Sequence, residues 1–511
     1  MFIRKKRNQS GSISVQVLRK EGRRNILLKT IGSSSDPSVI MDLERQARDF
    51  VELQQSQFKL QLGEEAIEKW FDAAFSQIGR LTSVGAERIL APIYEQIGFT
   101  KIEDPLFRDL VMARLTNPSS KLKTLRLLES TKGRTYSIKS VYRYMDKLHS
   151  EQKQLVEQIS YEHTLAHVLG SAPSMLFYDV TTIYFEAEKE DELRIAGFSK
   201  EGRHKHPQIL LGLLVSFGGH PMAYEIFEGN KYEGHTMMPV IRAFKKRFSL
   251  GKIVVVADSG LLNRANLEEI VANKDEFILG ARLKNEPKDI QEQVLKLSFQ
   301  GDGPKVIQKQ EGVKLVVSHS PKRAAKDQKN REKGIQRLQK AIESGKLTKS
   351  NINNRGYNKF LKMSGKVSIS LDQEKIDQEH AWDGLKGYLT NIDQPTTQTI
   401  DQYNHLWQIE KAFRVSKTEL RIRPIYHRLR HRIEAHICIS FAAYKVYKEL
   451  ERRLENTEIS IQRALEVIPQ ITAVTIKHPN GTHQQSRVIF QSENQKKTFE
   501  SLEKVVGDPM S

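Results

Sequence analysis

Two acidic side chains sit where acids are costly to keep. Asp179 lies inside LFYDVTTIYF, among apolar and aromatic neighbours, and Asp258 ends the run KIVVVAD with Ser259-Gly260 behind it. A carboxylate on or at the end of a buried strand loses hydration that something must offset. For either aspartate alone, a hydrogen-bonded turn or cap is a sufficient account. Two of them, on strands that could be neighbours, are hard oxygen donors of the kind that hold Mg²⁺ or Mn²⁺ when brought together.

The third acid is Glu410, in the segment TIDQYNHLWQIEKAFRVSK. The spacing predicts a long helix beginning near Thr399. At about 100° per residue, Tyr403, Trp407, Glu410, Arg414 and Lys417 share one face, and Leu406, Ile409, Phe413 and Leu420 form an apolar stripe beside it. The stripe can pack on a sheet while its edge aims Glu410 at the aspartates. Cations beside a metal-binding acid suit a phosphate backbone as ligand. A solvated face laced by Glu410–Arg414 and Arg414–Lys417 pairs is the alternative. Tyr403 and Trp407 could stack on or wedge against a distorted end base, and plain core is the other reading of Trp407. Arg421, Arg423, Arg428, Arg430 and Arg432 follow, so Tyr403 to Arg432 holds eight Lys/Arg against two acids. That is enough for several phosphate contacts.

The elements that must position these residues follow from periodicity. The first 30 residues alternate, as in a short basic hairpin. From Pro37 to about Gly170 the period is helical. Within that stretch, Ser119 is expected to cap a helix Lys121 to Leu128. After the basic turn Thr131-Lys132-Gly133-Arg134, Ser137 is expected to cap Ile138 to Leu148. The pair is either a DNA-reading helix-turn-helix or an ordinary helical hairpin. From Ser174 the pattern becomes strand, hairpin, helix, strand, helix, strand. Gly218-Gly219 forms the hairpin turn, His235-Thr236 caps the first helix, and KIVVVA is a strand buried on both faces. Lys284 to about Asp383 is polar with strand-like islands and a solvated basic helix over Pro321 to Lys340. The tail holds a hairpin around Asn480-Gly481.

Composition narrows the class. The chain has 511 residues, 81 Lys/Arg and 62 Asp/Glu, for a net charge of +19. A basic surface most often meets nucleic acid, and a well-solvated surface is the plainer account. One cysteine, Cys438, excludes an intrachain disulfide framework and a Cys-rich zinc site, and it reads as core. His204-Lys205-His206 lacks partner ligands at zinc spacing. No apolar run reaches the length of a membrane span, and the basic start has no apolar core of a secretory signal.

Three blocks, in order, then carry a resemblance over about residues 174 to 450. YDVTT around Asp179, VVADSGLLNRANL around Asp258, and Tyr403, Glu410 and Lys417 on the helix resemble bacterial insertion-sequence transposases of the DDE class. The match is to the cut-and-paste group with the signature Y-x2-R-x3-E-x6-K. IRPIYHRLRHRIEAHICISFAAY resembles that group's downstream segment. Leu406 stands where the signature has Arg, and Arg414, one turn past Glu410, is the candidate substitute.

The resemblance implies an α/β chain with an RNase H-like mixed sheet core, interrupted by a β-rich insertion and preceded by a mainly helical region. It implies a catalytic, metal-holding triad of Asp179, Asp258 and Glu410 with Mg²⁺, or Mn²⁺, as cofactor. Tyr403, Trp407, Arg414, Lys417, Arg421 and Arg423 are the candidate DNA contacts. The expected partners are double-stranded DNA, as element ends and as target, and a second copy of the chain, with no membrane and a cytoplasmic, nucleoid-associated location. The expected organisation is a DNA end-binding region over 1–170, core over 171–283 and 385–455, insertion over 284–384, and a tail over 456–511 available for dimerisation. A DNA-bridging protein without catalysis and a nuclease that cuts but does not join are the competing readings.

Overall fold

The chain is described by a computed structural model covering residues 1–511 apart from 23, 60–74, 76–77, 187–188, 199–201, 203–205, 300–302, 310–311, 346, 348–350, 354–355, 365–367, 478–483 and 508–511. The expected turn at Asn480-Gly481 and the residues His204 and Lys205 lie outside the described residues. Two compact units result, Met1–Thr82 with Ala473–Val488, and Ser83–Thr472 with Ile489–Ser511.

In the first unit, β1 (Phe2–Arg7), β2 (Ile13–Glu21) and β3 (Arg24–Ser34) form an antiparallel sheet. Val15 and Val17 of that sheet bury against Ile40 and Ala47 of the helix Pro37–Lys59. β4 (Ile78–Ser83) joins a separate small sheet of three strands with two strands of the tail.

The second unit is built on an eight-stranded sheet. Its strands are β5 (Met175–Tyr184), β6 (Gln208–Ser216), β7 (Pro221–Glu228), β8 (Val254–Ala257), β9 (Glu276–Ala281), β10 (Lys305–Gln308), β11 (Lys314–His319) and β14 (Leu385–Thr390), in the order β10-β11-β14-β9-β8-β5-β6-β7, while β12 (Leu361–Ser364) and β13 (Ser368–Leu371) pair with each other as a separate antiparallel hairpin. β8 pairs in parallel with β5 and with β9, and the other neighbours are antiparallel. The molecule is therefore a mixed α/β fold. Strand β6 is buried along its whole length, as its unbroken apolar run requires of a strand covered on both faces. On one face Leu176, Tyr178, Val180, Val255, Ala257, Phe277 and Leu279 pack with Val240, Ile241 and Phe244 of the helix Met237–Phe248. Because side chains alternate along a strand, Asp179 and Gly280 belong to the opposite face. That face is covered by the helices Thr396–Asn404, Trp407–Thr418 and Arg430–Leu454.

Local expectations differ from the structure in four places. Ser120, not Ser119, caps the helix Lys121–Lys132, its hydroxyl accepting the Lys123 N–H at 3.3 Å, while Ser119 Oγ lies on Thr124. Thr236 precedes the helix Met237–Phe248 but gives it no side-chain cap, because its hydroxyl donates to the Glu233 carbonyl at 2.6 Å. The basic turn after Lys121–Lys132 is occupied internally: Lys132 Nζ lies 2.5 Å from Glu87, and Arg134 lies 2.6 Å from the fully buried Asp109. In the stretch 284–384 both strand-like islands are strands, Lys314–His319 and Ser368–Leu371, but the stretch is less β-rich than the resemblance implies. Its longest element is the helix Pro321–Glu343, started by Ser320 as cap and Pro321 in the first turn, and two of its strands extend the large sheet.

Candidate active site

Parallel pairing brings the two aspartates together. Tyr178 in β5 is in register with Ala257 in β8, so the next residues, Asp179 and Asp258, stand side by side on neighbouring strands about 5 Å apart and face the same way. Strand β8 ends at Ala257. Asp258 is therefore the first residue free of the ladder, and it is exposed while Asp179 is half-buried. Each folds back on its own backbone: Asp179 Oδ1 accepts the Val180 N–H and Asp258 Oδ1 accepts the Ser259 N–H, both at 2.7 Å.

Glu410 comes from the helix side. The expected long helix is two helices, Thr396–Asn404 and Trp407–Thr418, with His405 and Leu406 as a turn between them. The Glu410 N–H still reaches the Leu406 carbonyl at 3.3 Å, so the second helix starts immediately. Glu410 is exposed and lines, with Asp179 and Asp258, one cavity of about 590 Å³.

The break sorts the expected helix face into separate jobs. Tyr403, 6% exposed, donates its hydroxyl to Asp258 Oδ1 at 3.2 Å and meets the Tyr388 ring edge-on, at 4.9 Å between centroids. It is a support under an aspartate, with no ring face open to a base. Burial, and then Asp258, push its phenol well above the usual tyrosine range. Trp407, 53% exposed, stands at the cavity rim with Lys411 Nζ 5.6 Å from its ring centre. Arg414 and Lys417 lie one and two turns further on, roughly 6 and 10 Å along the axis, and do not line the cavity. Leu406, where the signature has Arg, is buried, 7% exposed, and lines the cavity wall. Arg421 and Arg423 lie beyond the helix end, Arg423 with its guanidinium 4.8 Å from the Tyr184 ring centre.

Two cations in the cavity escaped sequence reading. Lys386 on β14 places Nζ 4.5 Å from the Tyr403 ring centre and 5.1 Å from that of Tyr388. Arg323, in the first turn of Pro321–Glu343, lines the same cavity. Burial and the nearby Arg323 hold Lys386 below the ordinary lysine range, while Asp258 and Glu410 pull the other way. The signal available in sequence was the pair Ser320-Pro321, which starts a helix directly after β11, the strand that pairs with β14.

The donor chemistry fits a hard divalent ion. Carboxylates and hydroxyls line the cavity, with neither sulfur nor imidazole among them. Asp179, Asp258 and Glu410 are the residues that would hold it. Among the described residues no three His, Cys, Asp or Glu side chains stand grouped closely enough to grip an ion. No helix among the described residues is long and apolar enough to cross a membrane.

The model of the transposase DDE domain matches residues 170–445. No curated protein matches the chain. Among solved structures, a piggyBac transposase synaptic complex with hairpin DNA is similar at a TM-score of 0.40 and 10% identity, over 71% of this chain and 69% of that one.

Proposed function

The chain belongs to the family of transposases with a DDE domain, and from that premise we propose that it binds the terminal inverted repeats of its own element, cuts the DNA there and joins the 3′ ends to target DNA. The observation that carries this reading is the register of β5 against β8, which sets Asp179 beside Asp258 in the cavity that Glu410 also lines. On this reading the large sheet is an RNase H-like core, and 284–384 is the segment inserted into it.

Asp179, Asp258 and Glu410 would hold divalent ions, whose chemistry is to acidify a water and to offset charge on a leaving 3′ oxygen. Tyr403 keeps Asp258 aimed into the cavity through its hydrogen bond. Lys386 and Arg323 face the phosphate and take the charge that builds on its non-bridging oxygens. They fill the electrostatic place that Leu406 vacates, a role for which Arg414 is turned too far along the helix. Trp407 stacks on a base at the rim. Arg414, Lys417, Arg421 and Arg423 hold the backbone of the flanking duplex.

Two in-line displacements follow in the same cavity. Water attacks the phosphorus at the element end; the new bond is P–O(water), the broken one P–O3′, and the 3′ oxygen leaves as a hydroxyl after taking a proton. That 3′-OH then attacks a target phosphodiester, forming a new P–O3′ bond and releasing the target's own 3′-OH. Cutting both ends of the element together needs two active sites, so two copies of the chain would act on paired ends. Purified protein with Mg²⁺, end DNA and then a target plasmid tests this. Cut and joined product is expected. Binding without cutting supports the bridging reading, and cutting without joining supports the nuclease.

A further inference from the structure

A second cavity, of about 470 Å³, opens between the helix Lys121–Lys132 and the segment that follows Trp407–Thr418. Arg114, Lys121, Lys123, Arg421 and Arg423 line it, and no Asp or Glu does. Two of these cations are buried, Arg114 and Lys121 being 5% and 7% exposed. Buried charges are normally paired with an opposite charge, because desolvation is costly. These two have only neutral partners. Arg114 Nη1 donates to the Leu420 and Arg421 carbonyls at 3.4 and 3.2 Å. Lys121 Nζ lies 3.4 Å from His436 Nδ1. The other nitrogen of that ring, Nε2, faces the Ile422 carbonyl at 2.9 Å. Nε2 therefore carries the proton, and Nδ1 accepts from the lysine. Burial, then Lys121, Arg432 and Arg114, hold His427, also on the wall, down at about 4, and burial and the same two cations, Lys121 and Arg114, hold His436 well below the ordinary range. The titratable groups on the wall are thus cations, neutral imidazoles and the phenols of Tyr142 and Tyr426, with no carboxylate among them. The first turn of Lys121–Lys132 ends here too, with its Ser120 cap on the wall and its free N–H groups nearby.

We propose that this cavity is a seat for a backbone phosphate of DNA, with Lys121 and Arg114 at its floor and Lys123, Arg421 and Arg423 at its rim. The inference rests on the reading of the chain as a DNA-cutting transposase and deepens it by naming a contact away from the cut. DNA is the source that fits best because Arg423, at the rim, packs on the ring of Tyr184, the last residue of the strand that carries Asp179. From Glu410 the helix and the residues after it lead to Arg421, roughly 15 Å on. That is the length of several base-pair steps, a span that one duplex held at the first cavity can cover. A phosphate here would supply the one thing the floor lacks, a negative charge.

The test is affinity measured against salt, by fluorescence anisotropy without Mg²⁺, for a duplex of the element's terminal repeat and one of unrelated sequence. Burial, and then Arg114, hold Lys121 well below the ordinary lysine range; Lys121→Met removes this buried amine that has no ionic partner, so the variant is expected to melt at a higher temperature than the wild type. It is nevertheless expected to bind both duplexes about tenfold more weakly, with a salt slope smaller by about one. Lys123→Gln, at the exposed rim, is expected to lower affinity and slope without moving the melting temperature, and it serves if Lys121→Met does not fold. Wild-type affinity and slope in both variants would overturn the proposal. So would melting shifts with inorganic phosphate that depend on Lys121 while DNA affinity does not, because the seat would then take a small anion only. A wild-type chain that binds neither duplex would instead sink the transposase reading itself.

Discussion

The hydroxyl of Tyr403 reaches Asp258 because residue 280 has no side chain. A Cβ at Gly280 would lie 2.5 Å from Tyr403 Oη and 2.9 Å from the Ser259 backbone nitrogen. Tyr403→Phe keeps the packed ring and removes one hydrogen bond. It is expected to cost about 1 kcal/mol of stability and to slow DNA cleavage about tenfold, with DNA affinity unchanged. Gly280→Ala displaces both the phenol and the backbone next to Asp258, so the loss of rate should be the larger of the two. Equal or faster cleavage by Gly280→Ala, measured in single turnover, would show that Tyr403 does not position Asp258. Lys386→Met should slow cleavage by about 10² through lost stabilisation of phosphate charge, again with little change in binding. At this scale the two aspartates were legible in sequence, because a carboxylate inside an apolar run is conspicuous, and Glu410 stood out only through its place on a helix face. Lys386 and Arg323 were not legible. Their partners are tertiary, and a lysine in a half-buried strand or an arginine in a basic helix looks like solvated surface until the strand order is known.

Among the elements, the helix bearing Glu410 shows what periodicity can and cannot reveal. Its apolar stripe was readable, and Leu406, Ile409 and Phe413 are buried as that stripe requires. The break at His405–Leu406 was not, since neither residue is a Gly or Pro and the 100° pattern runs through it unchanged. The break turns Tyr403 under Asp258 and leaves Trp407 at the rim. The helix Arg430–Leu454 holds a sharper surprise, a buried Lys445 whose Nζ donates to Thr164 Oγ1 at 2.5 Å. Burial holds this lysine down at about 7, with Arg452 and Lys448 adding to the effect and Glu449 opposing it. The folded chain therefore sheds a proton near pH 7 that the unfolded chain keeps to about 10.4. Stability contributed at this site rises with pH across that window. His163, held near 3 by burial and then Lys445, and Glu449, held near 2 by Arg452, His163 and Arg453 against its burial, titrate below the window. Lys445→Met should stabilise the protein by a few kcal/mol at pH 7, and its advantage should shrink as pH approaches 10. Melting temperatures of the two proteins against pH measure this, and a constant difference would contradict it.

At the scale of the whole molecule, charge and cysteine give global readouts. Cys438 is fully buried in the long helix, and burial pushes its thiol up to about 12. A thiol reagent should react with the native protein only as fast as the second unit opens, so labelling and unfolding should share one rate over a denaturant series. The mixed α/β order of strands and helices was legible from period changes along the chain, and the strand order was not. Pairing of β11 with β14, far apart in sequence, is what brings Arg323 to the aspartates, and no local pattern encodes it. The account as a whole depends on Asp179, Asp258 and Glu410 acting as one set. Cleavage of end DNA in Mg²⁺ by Asp179→Asn, Asp258→Asn and Glu410→Gln, with DNA affinity measured alongside, tests that most directly. Each single substitution is predicted to lower cleavage by at least about 10³-fold, roughly 4 kcal/mol of barrier, while binding stays near the wild-type value. Wild-type cleavage by any one of the three, in a folded protein that binds DNA normally, would contradict it.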